Sequence, residues 1–227
     1  MNKNKIIKPC NCITRLFLLK SLRYIICIVF LFSFLSIRSQ NTLQKQLSAT
    51  SIKTIAINGN QIFNISVSTS KTDKITVTSI LDGEYQNDFQ VVIEEENHVL
   101  NLGLEHLSLF EIPDDKRNAH KVIAATLRLE IPEQLILTIL SDIGSVDLKG
   151  DFKSLYVELL QGQCHVVGEA ETATINTLDG DINVETKHAK IEASSNHGSV
   201  VLDQFKSVRT YWKLTSINGN IKVAKQE

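Results

Sequence analysis

Asp147, His165 and Asn183 follow one another at intervals of 18 residues. A carboxylate, an imidazole and an amide brought about 5 Å apart can share a proton, or hold a cation or a polar ligand. Ser145, Gln163 and Asp181 precede them by two residues at the same interval. This face offers Lys222 as its one cation, with none beside His165. Stabilising an anionic transition state calls for cationic or strong donor groups. Asp147, His165, Asn183 and Asp181 are therefore read as a ligand-binding row on a solvated face, and no catalytic residue is assigned. A carbohydrate-active lyase or hydrolase using Asp147 and His165 is the alternative.

Other chemistry finds little footing. Six histidines are present, but none is paired with another at i, i+2 or i, i+4, so no zinc site is expected. Asp179-Gly180-Asp181 lacks the nonapeptide spacing of calcium repeats. Nucleophile-elbow, phosphate-loop and dinucleotide motifs do not occur. The expectation is a protein without metal or cofactor that is not an enzyme.

The 18-residue interval implies the elements that carry the row. Gly144, Gly162, Gly180, Gly198 and Gly219 are spaced by 18, 18, 18 and 21 residues. Counted from each glycine, apolar residues recur at +2 and +4, for example Val146/Leu148 and Ile182/Val184, and again at +11 and +13, as Leu155/Val157. In the last repeat a three-residue insertion moves the second pair to Trp212/Leu214. Period-two alternation at two places per repeat predicts two short strands per coil, each with one face inward. Gly150-Asp151, Gly168-Glu169 and Asp203-Gln204 read as the turns between them. Each glycine provides a positive φ or a close approach between coils. One coil cannot bury its own inward face, so the stack is the folding unit.

Before the repeats, Thr54–Ile57, Ile62–Val67 and Lys74–Thr78 read as strands, with Asn58-Gly59-Asn60 as a turn, and 90–104 reads as a hairpin. The predicted fold is all-β. A single-stranded β-solenoid of about 18-residue coils over 123–227 is preceded by an antiparallel or irregular β region over 51–122, and the two form one continuous domain. Residues 40–50 read as a polar linker, and 105–121 as an exposed, charged loop.

Residues 1–39 contain seven basic side chains and no acidic one, and include an apolar core of 11 residues from Ile25 to Leu35. That core suits a signal peptide cut after Ser39, or an N-terminal anchor if the cut is not made. Export to the periplasm, the outer-membrane surface or the medium follows. The remaining residues hold 17 basic against 25 acidic side chains, a balance that argues against nucleic acid. Cys10, Cys12 and Cys27 lie in the leader, which leaves Cys164 as a buried small hydrophobe with no partner for a disulfide.

The layout resembles a bacterial family known as putative adhesins, β-helical domains of unknown function, and the related head domains of autotransporter adhesins. The resemblance is carried by Leu127-Arg128-Leu129-Glu130-Ile131-Pro132, Asp142-Ile143-Gly144-Ser145-Val146-Asp147-Leu148, Leu178-Asp179-Gly180-Asp181-Ile182-Asn183-Val184 and Ser216-Ile217-Asn218-Gly219-Asn220-Ile221-Lys222-Val223. It implies an exported or anchored all-β interaction module and supplies no catalytic residues. The expected partners are a cell-surface glycan or an envelope protein, with membrane contact through an uncleaved leader. Self-association is expected at the last strand, Ile221-Lys222-Val223, with Lys222 and Lys225 guarding the open end.

Overall fold

Strand-forming alternation builds most of the described residues into strands. The structure is a computed structural model and describes residues 41–82, 89–107, 124–205 and 209–226. The expected leader and residues 108–121 of the expected loop lie outside these. Every regular element among the described residues is a strand. They are β1 (Asn41–Ser48), β2 (Thr54–Asn58), β3 (Ile62–Ser70), β4 (Lys74–Asp82), β5 (Phe89–Glu96), β6 (Val99–His106), β7 (Ala124–Pro132) and β8 (Ile136–Ile143). Then follow β9 (Ser145–Gln161), β10 (Cys164–Asp179), β11 (Ile182–Thr186), β12 (Ala189–Ser195), β13 (Val200–Leu202), β14 (Thr210–Ser216) and β15 (Ile221–Lys225). No helix among the described residues is long and apolar enough to cross a membrane.

The strands form one mixed sheet that does not close into a barrel. One path through it runs β1-β4-β7-β3-β9-β10-β11-β15-β13. Off that path, β5, β6, β2 and β8 pair in succession, β8 joins β9, and β10 continues to β14 and β12. Pairing is parallel through the middle and antiparallel at β1–β4, β4–β7 and β5–β6. β5 and β6 are the expected hairpin. Val146, Cys164 and Ile182 lie in line, as do Leu155 and Ala173, so β9, β10 and β11 pair at the 18-residue interval. The +2/+4 and +11/+13 side chains of β9 and β10 are all buried in the core.

Four features depart from the sequence expectation. Residues 41–48, within the stretch 40–50 read as a linker, form β1 and pair with β4, where Leu47 packs against the core and Gln46 Nε2 donates to Thr76 Oγ1 at 3.4 Å. β9 and β10 are each one long strand where two short ones were expected. The ladder carries on through the corner by pairing Gly150 with Gly168 and Asp151 with Glu169, with positive φ of 118° and 148° at the two glycines. β2 and β3 lie alongside β8 and β9 in parallel, although some 65 residues of chain intervene between β3 and β8, so the early strands belong to the same sheet. The fourth departure is the order at the far end. β15 lies between β11 and β13, and β14 between β10 and β12. Ile221-Lys222-Val223 is thus an interior strand, and the open end belongs to β12 and β13.

The last swap follows from side-chain volume. Ala173 on β10 faces Trp212 on β14, with Ile191 of β12 beyond it. The small Ala170 and Ala173 leave room for the indole, which is fully buried and donates its Nε1–H to the carbonyl of Ala170 at 3.1 Å. The side chain of Ile191 on β12 has no N–H to satisfy that carbonyl.

Cys164 lies fully buried between Val146 and Ile182. Burial first, and then the nearby Asp147 carboxylate, push its thiol from 9.0 up to about 12. The folded chain holds this proton where an unfolded chain releases it. The contribution to stability is therefore complete below pH 9 and is lost as pH rises towards about 12. Thiol reagents at neutral pH are expected to label Cys164 in urea and to leave it unmodified in the folded chain, as read by mass spectrometry.

Candidate functional site

On a strand whose even positions are buried, the odd ones face solvent, and lateral pairing decides which of these become neighbours. Ser66 on β3, Asp147 on β9, His165 on β10, Asn183 on β11 and Lys222 on β15 lie side by side. β7 adds exposed Arg128 next to Ser66. His165 Nδ1 is 3.5 Å from Asp147 Oδ1, and both side chains are about half exposed. A polar contact this open is worth at most about 1 kcal/mol. The row borders a shallow depression of about 340 Å³ lined by Asp147, Gln163, His165, Asn183, Glu185 and Lys222.

Asp147, His165 and Asn183 therefore come together as the spacing implied. Asp181 belongs to the adjoining row. Its Oδ1 accepts hydrogen bonds from Asn220 N at 2.7 Å and Nδ2 at 3.2 Å. Asn220 Oδ1 in turn accepts from Ser199 N at 3.0 Å and Oγ at 2.8 Å. This chain of polar contacts ties three neighbouring strands together in the order β11, β15, β13.

The electrostatics of the row differ from the sequence reading, which saw one cation. Arg128 stands two strands from Asp147, with Ser66 between them, and Lys222 is directly beside Asn183. Sequence order would have put Val201 in that second place. Donors thus flank the carboxylate and imidazole on both sides. Arg128 escaped notice because β3, the strand that links it to Asp147, comes from far earlier in the chain.

A second set of residues was also missed. Ser141, Thr177, Ser195 and Ser216 each sit three positions before a repeat glycine. Thr177 Oγ1 donates to Gly180 O at 2.7 Å, Ser195 Oγ to Gly219 O at 2.7 Å, and Ser141 Oγ to Gly59 O at 2.9 Å. Ser216 Oγ accepts from Gly219 N at 2.8 Å. These hydroxyls satisfy the backbone of tight corners that no strand partner reaches. The motif Ser/Thr-x-x-Gly was the available signal. On the opposite outward face, Tyr156 donates to Glu158 at 2.8 Å and Tyr211 to Glu192 at 2.6 Å, contacts that raise both phenols.

No family model and no curated protein matches this chain. Solved structures do. A putative cell adhesion protein from Clostridium sporogenes aligns over 83% of this chain and 100% of its own, with 14% identity and a TM-score of 0.59. The two chains share a fold. A putative adhesin from Bacteroides fragilis aligns over 82% of this chain and 98% of its own, at 12% identity and a TM-score of 0.36. Another from Parabacteroides merdae aligns over 82% and 96%, at 11% identity and a TM-score of 0.27. The names these structures carry are those of the family that the sequence motifs resemble.

Proposed function

We propose that the chain is an exported, non-enzymatic module of adhesin type, built as a β-solenoid, that holds a cell-surface glycan or an envelope protein on its outward polar row. The observation that carries this reading is the row itself. Arg128, Ser66, Asp147, His165, Asn183 and Lys222 occupy successive strands about 4.8 Å apart on a rigid sheet. Alternating donors and acceptors on such a face match a hydroxyl-rich or mixed-charge ligand at little cost in side-chain ordering. The 18-residue parallel register supports the solenoid, and the basic, apolar leader supports export.

A screen of the chain against surface glycans and envelope proteins tests the reading. Asp147→Ala and His165→Ala are each expected to weaken the partner found by about tenfold to a hundredfold. Binding untouched by both variants would move the site elsewhere. The contact between His165 and Asp147 favours a second reading, a carbohydrate-active enzyme in which the carboxylate orients the imidazole. Polysaccharide cleavage abolished by both substitutions would establish that reading over the first.

A further inference from the structure

The inward row of the stack ends abruptly at β12 and β13. Val200 and Leu202 align with buried Ile221 and Val223, yet they are 38% and 40% exposed because no further strand among the described residues covers them. Ile191 and Ala193 on β12 are likewise only partly buried. The other outer strands carry charge: Lys45 on β1 and Glu94-Glu95-Glu96 on β5. β13 carries none, and the two charges on β12, Lys190 and Glu192, are of opposite sign. An edge of no net charge with a half-covered apolar row is a template for another strand.

We infer that this end pairs with the same end of a second copy, through antiparallel contact of β12 with β12 about a two-fold axis at Ile191. This goes beyond the binding row, which lies on an outward sheet face. Two independent features select that register. The first is backbone parity. Asn196 N donates to Ser216 O, and His188 O accepts from Arg209 and Thr210 N, so the even-numbered residues of β12 turn their peptide groups towards β14. Ile191 and Ala193 then turn theirs outward. A two-fold at Ile191 makes Ile191 a hydrogen-bonded pair with its symmetry mate, and pairs Ala189 with Ala193 in the same sense.

The second feature is charge. The same axis sets Lys190 opposite Glu192 of the other copy, and Glu192 opposite its Lys190, in the non-hydrogen-bonded positions where side chains approach most closely. Axes at Lys190, Glu192 or Ala193 meet the parity requirement as well, but they set Lys190 opposite Lys190, Glu192 opposite Glu192, or Glu192 opposite Ser194, so charge decides for Ile191. Within one chain, Lys190 Nζ and Glu192 Oε1 are 3.7 Å apart and Tyr211 donates to Glu192, yet the two charged side chains are 62% and 54% exposed, so both also reach a partner. The two-fold also brings the uncovered Val200 and Leu202 of each copy to the same junction.

Sedimentation of the chain, in the form its producing cell leaves it, is expected to show a dimer that dissociates on dilution. Lys190→Glu and Glu192→Lys should each weaken it by about tenfold or more, since each places two like-charged pairs across the axis. The double variant Lys190→Glu/Glu192→Lys should restore it. Exposed positions on an edge strand leave the monomer fold intact, which circular dichroism would check. A monomer at all concentrations overturns the inference. So does a dimer indifferent to the single charge reversals, or one that the double reversal fails to rescue. A dimer that behaves as expected in a chain that binds no surface glycan or envelope protein would count against the proposed function alone.

Discussion

Trp212→Ala is expected to remove about 3–5 kcal/mol of stability, a large share of the 5–15 kcal/mol typical of a domain. The indole is the largest fully buried side chain, and it lies between Ala173 and Ile191 where two alanines of β10 make space for it. Truncation leaves a cavity that β10 and β12 cannot close, because each is held in a ladder to β14. It also strips the Ala170 carbonyl of its 3.1 Å donor in a dry environment. Trp212→Phe keeps most of the volume and loses the donor, so its cost should be about 1–3 kcal/mol. Urea unfolding followed by circular dichroism measures both, since the chain's one tryptophan cannot report on its own removal. A loss below about 1 kcal/mol for Trp212→Ala would contradict the volume argument for the order of the last strands.

Gly162→Ala is the second substitution with a large expected effect, of about 2–6 kcal/mol. Gly162 has φ of 130°, a conformation that costs an alanine about 1–3 kcal/mol. An added Cβ would also collide with the carbonyl oxygen and carbon of Gly144, backbone atoms that cannot swing aside as a side chain would. Overpacking of this kind adds about 1–3 kcal/mol. Gly103→Ala is the matched control. Its φ is unremarkable, and the nearest atom to an added Cβ is Asn58 Cβ at 3.7 Å, an ordinary contact. Equal midpoints for the two variants in a denaturant titration would show that the close stacking of glycines is not what limits the corner.

That stacking was legible in the spacing of the glycines but not its order. An added Cβ at Gly162 would meet Gly144, at Gly180 would meet Gly162, at Gly219 would meet Gly180, and at Gly198 would meet Gly219. The column therefore runs 144, 162, 180, 219, 198. Likewise, Asp147, His165 and Asn183 could be placed together from their 18-residue interval, while Arg128 and Lys222 acquired their positions from strands that sequence order does not bring to the site.

The all-β character, the inward and outward faces, the corner glycines and the core of the polar row are properties of the sequence alone. They arise from period-two alternation and a fixed interval, which act locally and repeat. Strand order is a different kind of quantity. Every repeat presents the same apolar pair inward and the same glycine at its corner, so the pattern is equally content with several orders. Tertiary structure breaks that degeneracy through unlike contacts. Trp212 needs the room beside Ala173, and Asn220 needs Asp181 on one side and Ser199 on the other. Those two requirements place β14 and β15 inside the sheet, leave β12 and β13 at its edges, and set Lys222 beside Asn183.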